Sequence, residues 1–309
     1  MEETTRERPK LHYWRSQRCV QQVQDNLKKC NHLIVYDLET TGVNPLFHRI
    51  IEIAAIYLTK VDGDFVETER LHRYFRLPED IKLPDEIAEL TGITPEKLET
   101  EPFEEECLED ILFMFEDTAV VGYNNCGFDD LFMQQYFYRH GSVFCPKDSF
   151  DVFLMAHDFV SPEQVENFKL ETIANLFQLK AQQYHAAFSD AEVTVELLKR
   201  FMECYENGET AISKGTQKPT ITRIAYWGKE GQENEKDRPV HRIYVTVEAE
   251  DVSIFYDIIS GVWYTSTLNI DMDWLEAEAW HIIGVTNEQE FRTFRGKKQG
   301  KPIGFFPTI

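Results

Sequence analysis

One nine-residue run, HLIVYDLET from His32 to Thr40, constrains this chain more than any other. Its Leu, Ile, Val and Tyr content reads as a strand, yet Asp37 and Glu39 stand two residues apart near its end. Side chains alternate across a strand, so both carboxylates face the same way. Two anions on one sheet face repel each other unless something cationic lies between them. A cluster of carboxylates that stays ionised at neutral pH is what hard, oxygen-seeking cations such as Mg²⁺ or Mn²⁺ require.

The neighbouring segments alternate between strand and helix patterns. RIIEIAAIYLTK and FVETERLHRYFRL read as two further strands joined by a tight turn at Val61–Asp64. A short helix is framed by Pro84 and Gly92, and a second spans 102–117, where Cys107, Ile111, Leu112, Met114 and Phe115 recur at helical spacing. AVVGYN reads as a short buried strand, and FDDLFMQQYFYRH, SFDVFLMAHDF, KLETIANLF and DAEVTVELLKRFMECY read as helices. This order predicts an α/β mixed sheet with helices on both faces over residues 32–206. Residues 1–31 read as a polar extension and 207–220 as a linker. Residues 221–309, rich in strand patterns with a hairpin turn expected at Ser260–Gly261 and carrying the helical run DMDWLEAEAWHIIG, read as a small α+β module.

With 309 residues and 42% hydrophobic content, the chain has room for one large domain and a smaller one. No apolar run approaches the roughly 18 residues of a membrane span, and the amino end lacks a signal-peptide core, so a soluble, cytoplasmic protein is expected. The six cysteines show no metal-ligand spacing and read as reduced thiols. A net charge of −22 argues against a general nucleic-acid coat. Basic side chains nevertheless outnumber acids seven to four in residues 1–32, and FRTFRGKKQGK at 291–301 has no acid, so a polyanion would be held locally.

Three further candidates sit in distinctive contexts: Asp129 in GYNNCGFDD, and His185 with Asp190 in YHAAFSDAE. If the four carboxylates converge, two divalent ions roughly 3.5–4 Å apart could clamp a phosphodiester. Asp37 is the candidate to bridge both ions, with Glu39 and Asp190 completing one set of ligands and Asp129 the other. His185, with an ordinary pKa of about 6.5, suits the task of taking a proton from the attacking water. Any one of these residues alone would ordinarily be a solvent-facing acid or a helix cap; their joint placement beside hydrophobic elements changes that reading. Asp130 is expected to point away as a surface or capping residue, and Asp151 to support the site from behind.

VYDLETTG, GYNNCGFDD and HAAFSDAE, in this order and at these separations, resemble the three motifs of the DEDDh superfamily of 3′-to-5′ exonucleases over residues 32–204. The resemblance implies a ribonuclease H-like fold. It also implies that Asp37, Glu39, Asp129 and Asp190 are ligands of two metal ions and that His185 is a general base. Tyr123–Asn124, where many relatives carry His-Asn, is similar to the exonuclease I branch, which implies single-stranded DNA with a 3′ end as substrate. It further implies contacts to the terminal nucleotide from Leu38, Thr40, Asn124 and Phe128. In that branch an SH3-like domain and a large helical domain follow. The module after residue 220 has the size and strand content of a reduced SH3-like domain, and the helical domain has no counterpart, so distributive trimming of short 3′ overhangs is expected.

Two other readings accompany this one. The same chemistry could act on RNA, since no residue here decides sugar preference. Alternatively the exonuclease fold could serve as a platform, with the aromatic-rich C-terminal module recruiting a protein partner.

Overall fold

Asp62 and Gly63 turn the second predicted strand into the third with positive φ angles of 53° and 102°, and the long hairpin they create is the frame on which the motif-bearing strand lies. The computed structural model describes residues 12–13, 17–179, 184–209, 215–227, 242–248, 252–257, 262–265, 269–287, 290–291 and 303–305. Contacts divide the chain into a unit of residues 23–211 and a second of residues 1–22 with 212–309. The basic residues of the amino end before Gln17, those of 292–301, and the turn at Ser260–Gly261 lie outside the described residues.

The amino-terminal segment is not simply a polar extension. It contains β1 (His12–Tyr13) and α1 (Gln17–Lys29). Val20, Val23 and Leu27 recur at three- and four-residue intervals and are buried, which is why this mostly polar run forms a packed helix.

The larger unit follows with β2 (His32–Thr40), β3 (Ile50–Val61) and β4 (Asp64–Tyr74). Next come α2 (Asp85–Thr91), closed by left-handed Gly92, and α3 (Pro95–Leu98), capped by the Thr94 side chain. The 102–117 helix is shorter than its sequence pattern: a 3₁₀ turn at Glu104–Cys107 precedes α4 (Leu108–Phe115). Then come β5 (Ala119–Gly122) and α5 (Asp129–Arg139). SFDVFLMAHDF is not one helix. Ser149–Asp151 forms β6, paired in parallel with β5, and α6 (Val152–Phe159) starts only where the Asp151 carboxylate accepts from Phe153 N–H. The unit ends with α7 (Leu170–Leu176) and α8 (Ala187–Glu206).

The five strands order as β4-β3-β2-β5-β6, with β2 antiparallel to β3 and parallel to β5. Alternation along β2 divides its side chains cleanly. Ile34, Tyr36 and Leu38 join Ile53 and Ala55 in a core shared with Ile111, Phe115, Phe132 and Tyr136 from α4 and α5. The opposite face, which carries Asp37 and Glu39, is crossed by α8. Helices therefore cover both faces, and Glu39 lies beside the first turn of α8.

The smaller unit contains β7 (Ile221–Trp227), β8 (Arg242–Val247), β9 (Ile254–Asp257), β10 (Val262–Thr265), α9 (Met272–Ile283) and β11 (Ile303–Phe305). They form one antiparallel sheet in the order β1-β10-β9-β8-β7-β11. No pairing among the described residues closes this sheet into a barrel. Tyr226, Tyr256, Trp263 and Trp280 lie in its core, so these aromatics are interior packing rather than a partner-facing surface.

Candidate active site

Asp37 lies opposite Ala54 and Glu39 opposite Glu52 across the β2–β3 ladder, so Glu39 and Glu52 share a sheet face. Asp129 opens α5 and is brought to the strand by one bond: its Oδ1 accepts from Leu38 N–H at 3.1 Å, between the two motif acids. Asp190 lies in the first turn of α8, and its Oδ2 accepts from His185 N–H at 3.1 Å. Ligand atoms of Glu39, His185 and Asp190 all fall within 4.8 Å of one another, which brings the first and third motifs together.

These acids burden one another electrostatically. Burial raises the Asp37 carboxyl well above its ordinary range, and the charges of Asp129, Asp190, Glu39 and Glu52 raise it further. Glu39 is pushed up to about 8 by burial, then by Glu52 and Asp190. Burial and then the Asp130 charge raise Asp129, with its bond from Leu38 pulling the other way. Asp190 is pushed up to about 6 by burial, opposed by the bond from His185. Its Oδ1 is buried with no hydrogen-bond partner. Hard oxygen donors, mutual repulsion and an unpartnered buried oxygen suit a divalent cation, which would reverse each of these shifts.

His185 is exposed, with φ at +60°. For a residue with a Cβ this left-handed conformation costs about 1–2 kcal/mol, and two bonds fix it. One is His185 N–H to Asp190; the other runs from Ala187 N–H to Glu52 Oε2 at 3.3 Å.

The expected substrate contacts are differently placed. Leu38 is buried in the core on the far side of the sheet, so only its main chain borders the acids. Thr40 is buried, and its hydroxyl donates to Gly42 O at 2.7 Å. Asn124 adopts a left-handed conformation and donates its N–H to Asp151 Oδ1 at 2.9 Å; Gly127 packs beside it, and a Cβ there would come within 2.6 Å of the Asn124 carboxamide oxygen, which would have to shift. Phe128 is half-buried against Phe132, with ring centroids 4.9 Å apart. Asp151 thus supports the second motif, and burial pushes its carboxyl up to about 7.

Asp130 corrects the sequence reading. It is buried rather than superficial, accepting from Tyr36 Oη, from Ser149 Oγ at 2.8 Å and from Asn125 Nδ2 at 3.2 Å. Sequence reasoning also missed Glu52 and His72. Glu52 is buried on β3, with His72 Nε2 2.6 Å from its Oε1 and Tyr74 bonding the same carboxylate. Its one visible signal is a lone acid inside the apolar run RIIEIAAIYL.

PolC-type DNA polymerase III of Halalkalibacterium halodurans is 26% identical to the chain over 231 residues, covering 74% of this chain and 15% of that protein. The Bacillus subtilis PolC-type enzyme is 26% identical over 229 residues, again covering 74% of this chain and 15% of the relative. The chain thus spans about one seventh of the length of these relatives. Among solved structures, a structure of exonuclease I matches with a TM-score of 0.51 at 18% identity, covering 85% of this chain and 69% of that one. E. coli exonuclease I in complex with a dT13 oligonucleotide matches with a TM-score of 0.50 at 19% identity, covering 74% and 55%. The shared fold is the ribonuclease H-like arrangement of mixed sheet and flanking helices. An exonuclease family model matches residues 34–198, more than half of the 309, and the chain belongs to that exonuclease family.

Proposed function

We propose that this protein is a divalent-metal-dependent 3′-to-5′ exonuclease that removes nucleotides from single-stranded DNA, trimming 3′ overhangs. The observation that carries the reading is the meeting of Glu39, His185 and Asp190 within 4.8 Å, beside Asp37 and Asp129. Asp37, Glu39, Asp129 and Asp190 would hold two ions, Mg²⁺ or Mn²⁺. Such ions lower the pKa of a water nucleophile and neutralise charge on the leaving 3′-oxygen.

The protein's own groups do the rest. Leu38 N–H fixes Asp129 against the strand, keeping acids from two elements in register. The exposed His185 imidazole takes the proton of the attacking water on a ring nitrogen and releases it to solvent. Phe128 and Asn124, on the turn between β5 and α5, would meet the terminal nucleotide together with Thr40 and the main chain of Leu38. A single strand suits the site because its bases stack on an aromatic ring without a duplex to open. E. coli exonuclease I binding a dT13 oligonucleotide on the same fold supports this substrate class.

A 5′-labelled oligonucleotide tests the assignment. With Mg²⁺ or Mn²⁺ the DNA strand should shorten stepwise from its 3′ end, faster than a matched RNA and not at all in EDTA. Faster shortening of the RNA would move the substrate to the other sugar, and cleavage that ignores EDTA would remove the metal mechanism.

A further inference from the structure

We propose that Glu52, braced by His72 and Tyr74, is a positioning residue for His185, clamping the strained backbone that carries the imidazole to the central sheet. The inference rests on the exonuclease reading for its kinetic consequence and on geometry alone for its structural one.

Glu52 is surrounded by the acids yet is not equivalent to them. Both of its oxygens are engaged: Oε1 lies 2.6 Å from His72 Nε2, and Oε2 accepts from Ala187 N–H. A carboxylate so occupied serves as an anchor and has little capacity left for a cation. The bracing is itself built. His72 stands two residues from Tyr74 on β4, so both face the same way, and Tyr74 is directly opposite Glu52 in the ladder. The His72 ring is also held between Tyr74, centroid 4.9 Å away, and Phe188 at 5.4 Å, one residue beyond Ala187.

The clamp acts where α8 begins. His185 has φ +60°, and its own N–H reaches forward to Asp190. That bond ties the His185 backbone to α8. Glu52, through Ala187, fixes the same turn relative to β3 and hence to Glu39 beside it. A strained turn persists only when its surroundings over-determine it, and here the two bonds together do so. Without Glu52 the His185 turn relaxes, and a misplacement of about 1 Å is worth roughly 100-fold in rate.

The test compares Glu52→Ala, Glu52→Gln and His72→Phe in the full chain by hydrogen exchange and by single-turnover kinetics with a 5′-labelled oligonucleotide and Mg²⁺. Exchange of amides 184–190 should speed up about tenfold in Glu52→Ala, the loss of one charge-assisted hydrogen bond. Glu52→Gln, which keeps an acceptor for Ala187, should retain most of the protection. The chemical step should slow about 100-fold in Glu52→Ala with KM little changed, and adding Glu52→Ala to His185→Ala should cost less than about twofold more. Should Glu52→Ala not fold, His72→Phe carries the same comparison. Unchanged exchange at 184–190, or a full additional loss in the His185→Ala background, would overturn the proposal. If the wild type cleaves no oligonucleotide, the exonuclease reading fails by itself and exchange alone decides the clamp.

Discussion

Asp129 and Asp130 are adjacent and equally buried, yet they belong to two regions with opposite chemistry. Asp130, like Asp158 and Glu104 elsewhere in the same unit, comes with donors: Tyr36, Ser149 and Asn125 for Asp130, the Tyr205 hydroxyl at 2.5 Å for Asp158, and the Arg139 guanidinium at 2.9 Å for Glu104. On the Asp129 side the neighbours are chiefly other acids, and Asp190 keeps a buried oxygen without a partner. Burial therefore does not distinguish a structural carboxylate from a reactive one; the company it keeps does. Partnered acids hold the fold together, whereas the crowded ones destabilise it until a cation arrives.

The sharpest way to break this comparison is Asp37→Asn. Activity should fall on the order of 10³-fold, comparable with loss of a central electrostatic stabiliser, while the melting temperature of the metal-free protein rises. Steady-state cleavage and a thermal melt in EDTA check the two halves. His185→Gln should lower the rate about 10²-fold or more without affecting the melt in the same direction, because it removes a proton acceptor and relieves no repulsion.

Asp130→Ala should behave in the opposite sense. It strands the buried donors of Tyr36, Ser149 and Asn125, so stability should drop by about 2 kcal/mol and the melting temperature by roughly 4–8 °C. Activity per folded molecule should fall far less than in Asp37→Asn. The smallest effect separates the regions by pH. Glu39, at about 8 in the fold, and Asp151, at about 7, have raised values, so the folded state binds protons more readily than the unfolded chain. Their stabilising contribution is complete below the unfolded values near 4–4.5 and is lost as pH rises toward 8. Melts of the metal-free protein should therefore decline across this window, and saturating Mg²⁺ should flatten the decline.

Legibility in the sequence followed the range of the interactions involved. Asp37 and Glu39 were readable because a strand's alternation is local, and α2 because Pro84 and Gly92 mark its ends. The β6 strand was hidden inside a helical pattern because only its parallel partner β5 selects the extended form for Ser149–Asp151. Asp130 was misread for a related reason: its donors Tyr36 and Ser149 are 94 and 19 residues away. The Glu52–His72 pair depends on the β3–β4 register, and Glu52 reaches Ala187 across 135 residues, a relation that no local pattern encodes.

The most direct measurement is an anomalous difference map, at the manganese edge, of crystals soaked with Mn²⁺ and a short DNA strand. The account predicts manganese density bounded by the carboxylates of Asp37, Glu39, Asp129 and Asp190, with the strand's 3′ end beside it. Ordered DNA with no manganese among those four side chains, or manganese bound elsewhere on the surface, would contradict it.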